Sequence, residues 1–114
     1  MNRSDYILES ERTLELLREI EANSNLTQRY LAQKYDISLG KTNFIIKALL
    51  DKGLIKVQSF KNSKNKMGYI YLITPHGIST KVQLIHKFFI KKVGEYERLK
   101  REIEGFKGEF LLNK

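Results

Sequence analysis

The side chains best suited to chemistry stand in one short string, Ser38-Leu39-Gly40-Lys41-Thr42-Asn43, with Lys47 one helical turn further on. At the start of a helix, Ser38, Lys41 and Thr42 combine hydroxyl and ammonium donors with free backbone N–H groups, a set that suits phosphate. Asn43 can pair bidentately with adenine, and a lysine can reach guanine O6 and N7. Gly40 has no side chain to hold a partner's backbone away. A second string, Lys61-Asn62-Ser63-Lys64-Asn65-Lys66, alternates ammonium groups with small polar side chains. Lysine is a point charge without the planar fork of arginine, so Lys61, Asn62, Lys64, Asn65 and Lys66 are expected to touch phosphates and read little sequence. Thr27, Gln28 and Arg29 open another helix and are expected to brace on the same backbone.

The sequence offers little to other chemistries. It contains no Cys, which excludes disulfides, Cys-ligated zinc and thiol catalysis. His76 and His86 are ten residues apart and have no matching carboxylate cluster. No Ser-His-Asp spacing, Gly-rich phosphate loop or paired-carboxylate signature is present. Glu9, Glu11, Glu15 and Glu19 alternate with Arg12 and Arg18, the pattern of a solvated helix face. No catalytic residue, metal or cofactor is therefore assigned, and an enzyme is not expected.

Charge places the chemistry. The chain has 114 residues and a formal net charge of +8, room for one core and an excess that suggests an anionic partner. The excess is uneven. Residues 1–37 carry 5 basic and 7 acidic side chains, residues 38–74 carry 7 and 1, and residues 75–114 carry 9 and 5. Between positions 52 and 94 there are nine Lys and no Asp or Glu. Such segregation fits an electrostatic face. No apolar stretch approaches the roughly 20 residues of a membrane span, and residues 1–5 show no apolar signal core. The expectation is a cytoplasmic protein that does not enter membranes.

Four helices and a hairpin must hold these groups. Ser4 as N-cap and apolar residues at Ile7, Leu8, Leu14, Leu17 and Ile20 predict a first helix over about 5–22. Thr27 predicts the cap of a short second helix, with Tyr30, Leu31 and Tyr35 on its apolar face. Ser38 caps a third, in which Thr42, Ile45, Ile46 and Leu49 share one inward face and Gly53 closes the end. That leaves Leu39, Gly40, Lys41, Asn43, Phe44 and Lys47 outward; for Phe44, packing against the first helix is favoured over base contact. Period-2 patterning at 54–60 and 69–73 predicts a hairpin with a basic tip. Thr74-Pro75 starts a last helix that can run to about Phe106, weakened at Gly94, Gly105 and Gly108.

Short helix, tight turn, second helix and hairpin in this order make a winged helix-turn-helix. The fold class is mostly α with a small β-hairpin: a three-helix core plus wing, residues 1–74, and one long C-terminal helix with its tail, residues 75–114. Ile78, Val82 and Ile85 are expected to pack on the wing domain. Ile85, Phe89, Val93, Tyr96, Leu99, Ile103 and Phe106 form an apolar stripe expected to pair with a second copy.

The strings 26–32, 37–43, 47–49 and 52–56 resemble the MarR-type winged-helix pattern. The chain is most similar to a short subgroup, the MarR-family regulators associated with exopolysaccharide (EPS) biosynthesis loci, through 60–71, Thr74-Pro75-His76-Gly77 and Tyr96-Glu97-Arg98-Leu99-Lys100. The resemblance covers about residues 12–104. It implies a bacterial transcriptional regulator whose gene lies near polysaccharide genes. The chain departs from ordinary members in being shorter, with one long C-terminal helix, and in carrying Lys where the wing usually has Arg. Together these observations lead to a homodimeric, sequence-specific regulator that binds double-stranded DNA, with no effector assigned. The alternative is a winged-helix protein-interaction module docking an acidic partner, since fold alone does not decide.

Overall fold

The computed structural model describes residues 3–23, 26–61 and 67–113, apart from the side chains of Ser4, Phe60 and Met67. Helices α1 (Arg3–Leu8), α2 (Glu11–Ala22), α3 (Gln28–Lys34) and α4 (Leu39–Asp51) precede strands β1 (Ile55–Lys61) and β2 (Met67–Ile73) and helix α5 (Pro75–Leu112). The fold is a mostly helical winged helix-turn-helix with a two-stranded hairpin and a long C-terminal helix. The chain divides into two compact units, Met1–Leu84 and Ile85–Lys114.

Helices α2, α3 and α4 each start where a hydroxyl side chain replaces a missing backbone acceptor. Ser10 accepts from the Thr13 N–H at 3.2 Å, Thr27 from Tyr30 at 3.0 Å and Ser38 from Lys41 at 3.0 Å. Thr74 does the same for α5, accepting from the Gly77 N–H at 3.0 Å. The cap at Ser10 corrects the expectation of one helix over 5–22. Ser10 Oγ also donates to the Ile7 carbonyl at 2.6 Å and Thr13 Oγ1 donates to it at 2.5 Å, so two hydroxyls end α1 there and begin α2. Ser4 lies inside α1, which begins at Arg3.

Two helix ends use the same closing motif. After α3, the Ile37 N–H reaches the Ala32 carbonyl at 3.0 Å while Asp36 adopts φ 52°. After α4, the Leu54 N–H reaches Leu49 at 2.9 Å and the Gly53 N–H reaches Leu50 at 3.0 Å, with Gly53 at φ 71°. These paired bonds satisfy terminal carbonyls and turn the chain sharply, into α4 in the first case and into β1 in the second.

Leu16 and Leu17 of α2, Leu31 of α3, and Ile45 and Leu49 of α4 are fully buried and form the centre of the core. Thr42 is equally buried, its hydroxyl donating to the Ser38 carbonyl at 2.9 Å. β1 pairs antiparallel with β2, with Ile55 opposite Ile73, Val57 opposite Tyr71 and Lys61 opposite Met67.

The start of α5 departs from its expected face. Gly77 and Leu84 are buried, whereas Ile78 and Val82 are 43% and 56% exposed. The glycine sets this rotation: any Cβ at position 77 would overlap the Leu54 carbonyl oxygen, so only a bare backbone closes on β1 and β2 there. Lys81, one turn on, follows the same side and pairs with Glu21 of α2. In the second unit Ile85 is also exposed, and Phe88 is buried, with the Lys87 and Lys91 ammonium groups 5.3 and 5.8 Å from its ring centroid. α5 continues through Gly94, Gly105 and Gly108 to Leu112, beyond the expected end near Phe106.

A polar cluster joins α2 to α3. Lys34 Nζ lies 2.5 Å from Glu19 Oε2, and the Tyr35 hydroxyl donates to the same oxygen at 3.2 Å. The Lys34 bond, then that from Tyr35, hold the Glu19 carboxyl below its ordinary pKa; burial raises that of Tyr35. A carboxyl that is more acidic in the folded chain contributes stability above its unfolded pKa, lost as pH falls through the folded value. Acid unfolding of Glu19→Gln is therefore expected to lose part of the stability difference between pH 7 and pH 3. Denaturant titrations at both pH values check this; an unchanged difference would remove the cluster from the account.

Candidate nucleic-acid interface

Helix α4 is held from behind and open in front. Its inward residues Thr42, Ile45, Ile46 and Leu49 are buried, while Leu39, Gly40, Lys41, Asn43 and Lys47 are exposed. Ser38 Oγ accepts as the cap and keeps its own O–H, so the donors this turn presents are the Ser38 hydroxyl, the Lys41 ammonium and the first backbone N–H groups. Nothing lies within 4 Å of a Cβ built on Gly40, so internal packing does not demand glycine there.

Thr42 must be removed from the candidate contact residues. It falls in the same helical period as Ile45, Ile46 and Leu49, and burial leaves no side-chain surface for a partner. Phe44 is half-buried, with the Arg3 guanidinium 5.2 Å from its ring centroid.

The neighbouring elements extend the face. Thr27 and Arg29 at the start of α3 are exposed, and Gln28 is half-buried between Asn43 and Tyr71. Asn43 Nδ2 donates to Gln28 Oε1 at 3.3 Å, and Gln28 Nε2 donates to the Tyr71 hydroxyl at 3.2 Å. Lys61 ends β1 in an exposed position. Asn62, Lys64, Asn65 and Lys66 lie outside the described residues.

Two open clefts flank α4. One, of about 680 Å³, is lined by Arg3, Tyr6, Ile7, Ser38, Gly40, Lys41 and Phe44. The other, of about 320 Å³, is lined by Gln28, Asn43, Ile46, Lys47, Leu50, Val57, Tyr69 and Tyr71. Neither lining contains a carboxylate, and both contain cations. By contrast, the cleft beside Arg18 is lined by Glu15 and Glu19 as well as Lys34. The α4 face thus combines cations with no carboxylate in the two described clefts beside it. Arg3, Tyr69 and Tyr71 belong to it although the contact residues read from the sequence omit them. Tyr69 and Tyr71 share a strand face by their period-2 spacing, which was a readable signal; the return of α1 to the side of α4 left none.

Among the described residues no group of three or more His, Cys, Asp or Glu could hold a metal ion. His76 and His86 are both exposed. No described helix is long and apolar enough to cross a membrane.

These features define a winged helix-turn-helix with a basic, open recognition face. Residues 9–56, from the end of α1 into β1, match the family model described as winged helix-turn-helix DNA-binding. The fold is shared with the adhesin competence repressor AdcR from Streptococcus pyogenes, at 17% identity and a TM-score of 0.59 over 82% of this chain and 66% of that one. A zinc-bound AdcR, described as a zinc-dependent MarR-family transcriptional regulator, matches at 19% identity and a TM-score of 0.53, over 87% of this chain and 73% of that one. FabT from Streptococcus pneumoniae in complex with DNA matches at 14% identity and a TM-score of 0.52, over 90% and 74%. The chain spans 66% and 64% of the length of two S. pyogenes AdcR structures. A search of curated protein sequences finds no match.

Proposed function

We propose that this chain is a sequence-specific transcriptional regulator that binds double-stranded DNA as a homodimer in the cytoplasm. One observation carries the reading. Lys41, Asn43 and Lys47 stand exposed on a helix whose opposite face is locked into the core, flanked by clefts without carboxylates. A helix so held can enter a major groove with its first turn towards base edges, while Thr27, Arg29 and the basic wing reach the backbone. The fold shared with a regulator solved on DNA supports this direction.

The second unit supplies the reason for two copies. Ile85, Phe89, Val93, Tyr96, Leu99, Ile103 and Phe106 are 41–69% exposed and recur every three or four residues along α5. A continuous apolar stripe of this kind is stable when it meets another helix. By the sequence resemblance, the controlled genes are those of exopolysaccharide biosynthesis.

Selection of bound sequences from a random duplex pool tests the proposal. The expected product is a two-fold symmetric site with half-sites about 10–10.5 base pairs apart, or a multiple of that spacing. Enrichment of an asymmetric single half-site would overturn the dimer; no enrichment at low salt would overturn DNA binding itself.

A further inference from the structure

We propose that Gln28 and Tyr71 form a hydrogen-bonded relay that biases the orientation of the Asn43 carboxamide and so tunes base preference at one position of each half-site. The inference rests on the DNA-binding reading above and deepens it.

The relay has a direction. Asn43 Nδ2 donates to Gln28 Oε1 at 3.3 Å, and Gln28 Nε2 donates to the Tyr71 hydroxyl at 3.2 Å. It ties the recognition helix α4 to α3 and to strand β2. A carboxamide on an exposed helix face can otherwise flip, exchanging its donor and acceptor ends. Here a flip of Asn43 alone would set its oxygen against the Gln28 oxygen, two acceptors facing each other. A flip of both amides would set the Gln28 oxygen against Tyr71, which the hydroxyl can accommodate by rotating to donate. Tyr71 therefore biases the relay most firmly when its own proton is committed elsewhere, as to a phosphate or base acceptor in the bound state. In the observed direction Asn43 keeps one N–H and its Oδ1 free. That pair matches the N7 acceptor and N6 amino donor of adenine. Tyr71 and Gln28 act through Asn43, so they are positioning residues.

Parallel selections from one random duplex pool, followed by competition between the four base pairs at each position, separate the possibilities. Wild type, Asn43→Ala, Tyr71→Phe, Gln28→Leu and Gln28→Glu are compared, with thermal melts and salt slopes for each. Asn43→Ala is expected to relax one base pair per half-site. Tyr71→Phe and Gln28→Leu are expected to relax the same base pair roughly tenfold, with the Tyr71→Phe melt and salt slope unchanged. Gln28→Glu keeps the acceptor for Asn43, so it should retain the preference while weakening all sequences alike. Added to Asn43→Ala, Tyr71→Phe should change nothing further at that position. The relay is overturned if Tyr71→Phe keeps the wild-type preference, relaxes a different position, or adds its effect to Asn43→Ala. It is also overturned if Asn43→Ala relaxes no position. If wild type enriches no sequence, the DNA-binding reading itself fails, a result distinct from enrichment with unmoved preferences.

Discussion

Replacing Lys41, Lys47, Lys61, Lys64 and Lys66 together by Gln is expected to abolish duplex binding at 150 mM salt while the chain still folds. Lys41, Lys47 and Lys61 are exposed, so their loss removes no buried contact. Each lysine that neutralises a phosphate contributes about 0.9 to the slope of log affinity against log salt. A protein with about 6–10 such contacts loses roughly 10³–10⁵ in affinity between 50 and 200 mM salt. The five-fold variant should show a nearly flat slope and no measurable binding where wild type binds. Arg12 and Arg18 provide the contrast. Arg12 pairs with Glu15 at 2.7 Å, and its guanidinium lies 5.9 Å from the Tyr35 ring centroid. Arg18 borders a cleft that Glu15 and Glu19 share. Their replacement by Gln should move duplex affinity by less than about threefold, since this charge is already locally compensated. Fluorescence anisotropy of labelled duplex across a salt series measures all three variants.

Gly77→Ala is expected to cost the first unit about 3 kcal/mol or more, at the upper end for forcing atoms into packed space. The added Cβ would overlap the Leu54 carbonyl oxygen and stand 2.7 Å from Ile73 Cγ1. Neither neighbour can retreat cheaply. The Leu54 carbonyl already accepts from the Thr74 N–H at 3.0 Å, and the Leu54 N–H closes α4 on Leu49 at 2.9 Å. Moving Leu54 would loosen the end of α4, the start of β1 and the cap of α5 together. For a unit of this size the melting temperature should fall by on the order of 10 °C or more. Gly94→Ala and Gly105→Ala should do the reverse. Nothing lies within 4 Å of a Cβ at either position, and alanine in a helix is worth roughly 0.5–1 kcal/mol over glycine. Thermal melts of the three variants give opposite signs if the contacts are as described.

Much of the frame was legible because it is local. The caps at Thr27, Ser38 and Thr74 follow from a hydroxyl placed three residues before an otherwise unsatisfied N–H. The inward face of α4 follows from the spacing of Ile45, Ile46 and Leu49, and that same period outweighs the chemical appeal of the Thr42 hydroxyl. Where the reading failed, the deciding contact was distant or small. Ser10 and Thr13 break a helical pattern by bonding back to Ile7, which hydrophobic spacing does not register. Counting apolar residues favoured Ile78 and Val82 as the packed side of α5, but a residue without a side chain decides the rotation. The bond from Gln28 to Tyr71 crosses 43 positions in sequence, so no local pattern encodes it. Arg3 reaches Phe44 only because α1 packs beside α4.

The central claim is that the α4 face recognises duplex DNA rather than polyanions in general. Its most direct test is equilibrium binding of the purified chain to a random duplex DNA, a matched duplex RNA and an acidic polypeptide, each titrated from 50 to 200 mM salt. The account predicts measurable duplex DNA binding at 50 mM, tighter than to the other two ligands and falling steeply with salt. Equal or tighter binding to the acidic polypeptide, or no DNA binding at 50 mM, would contradict it.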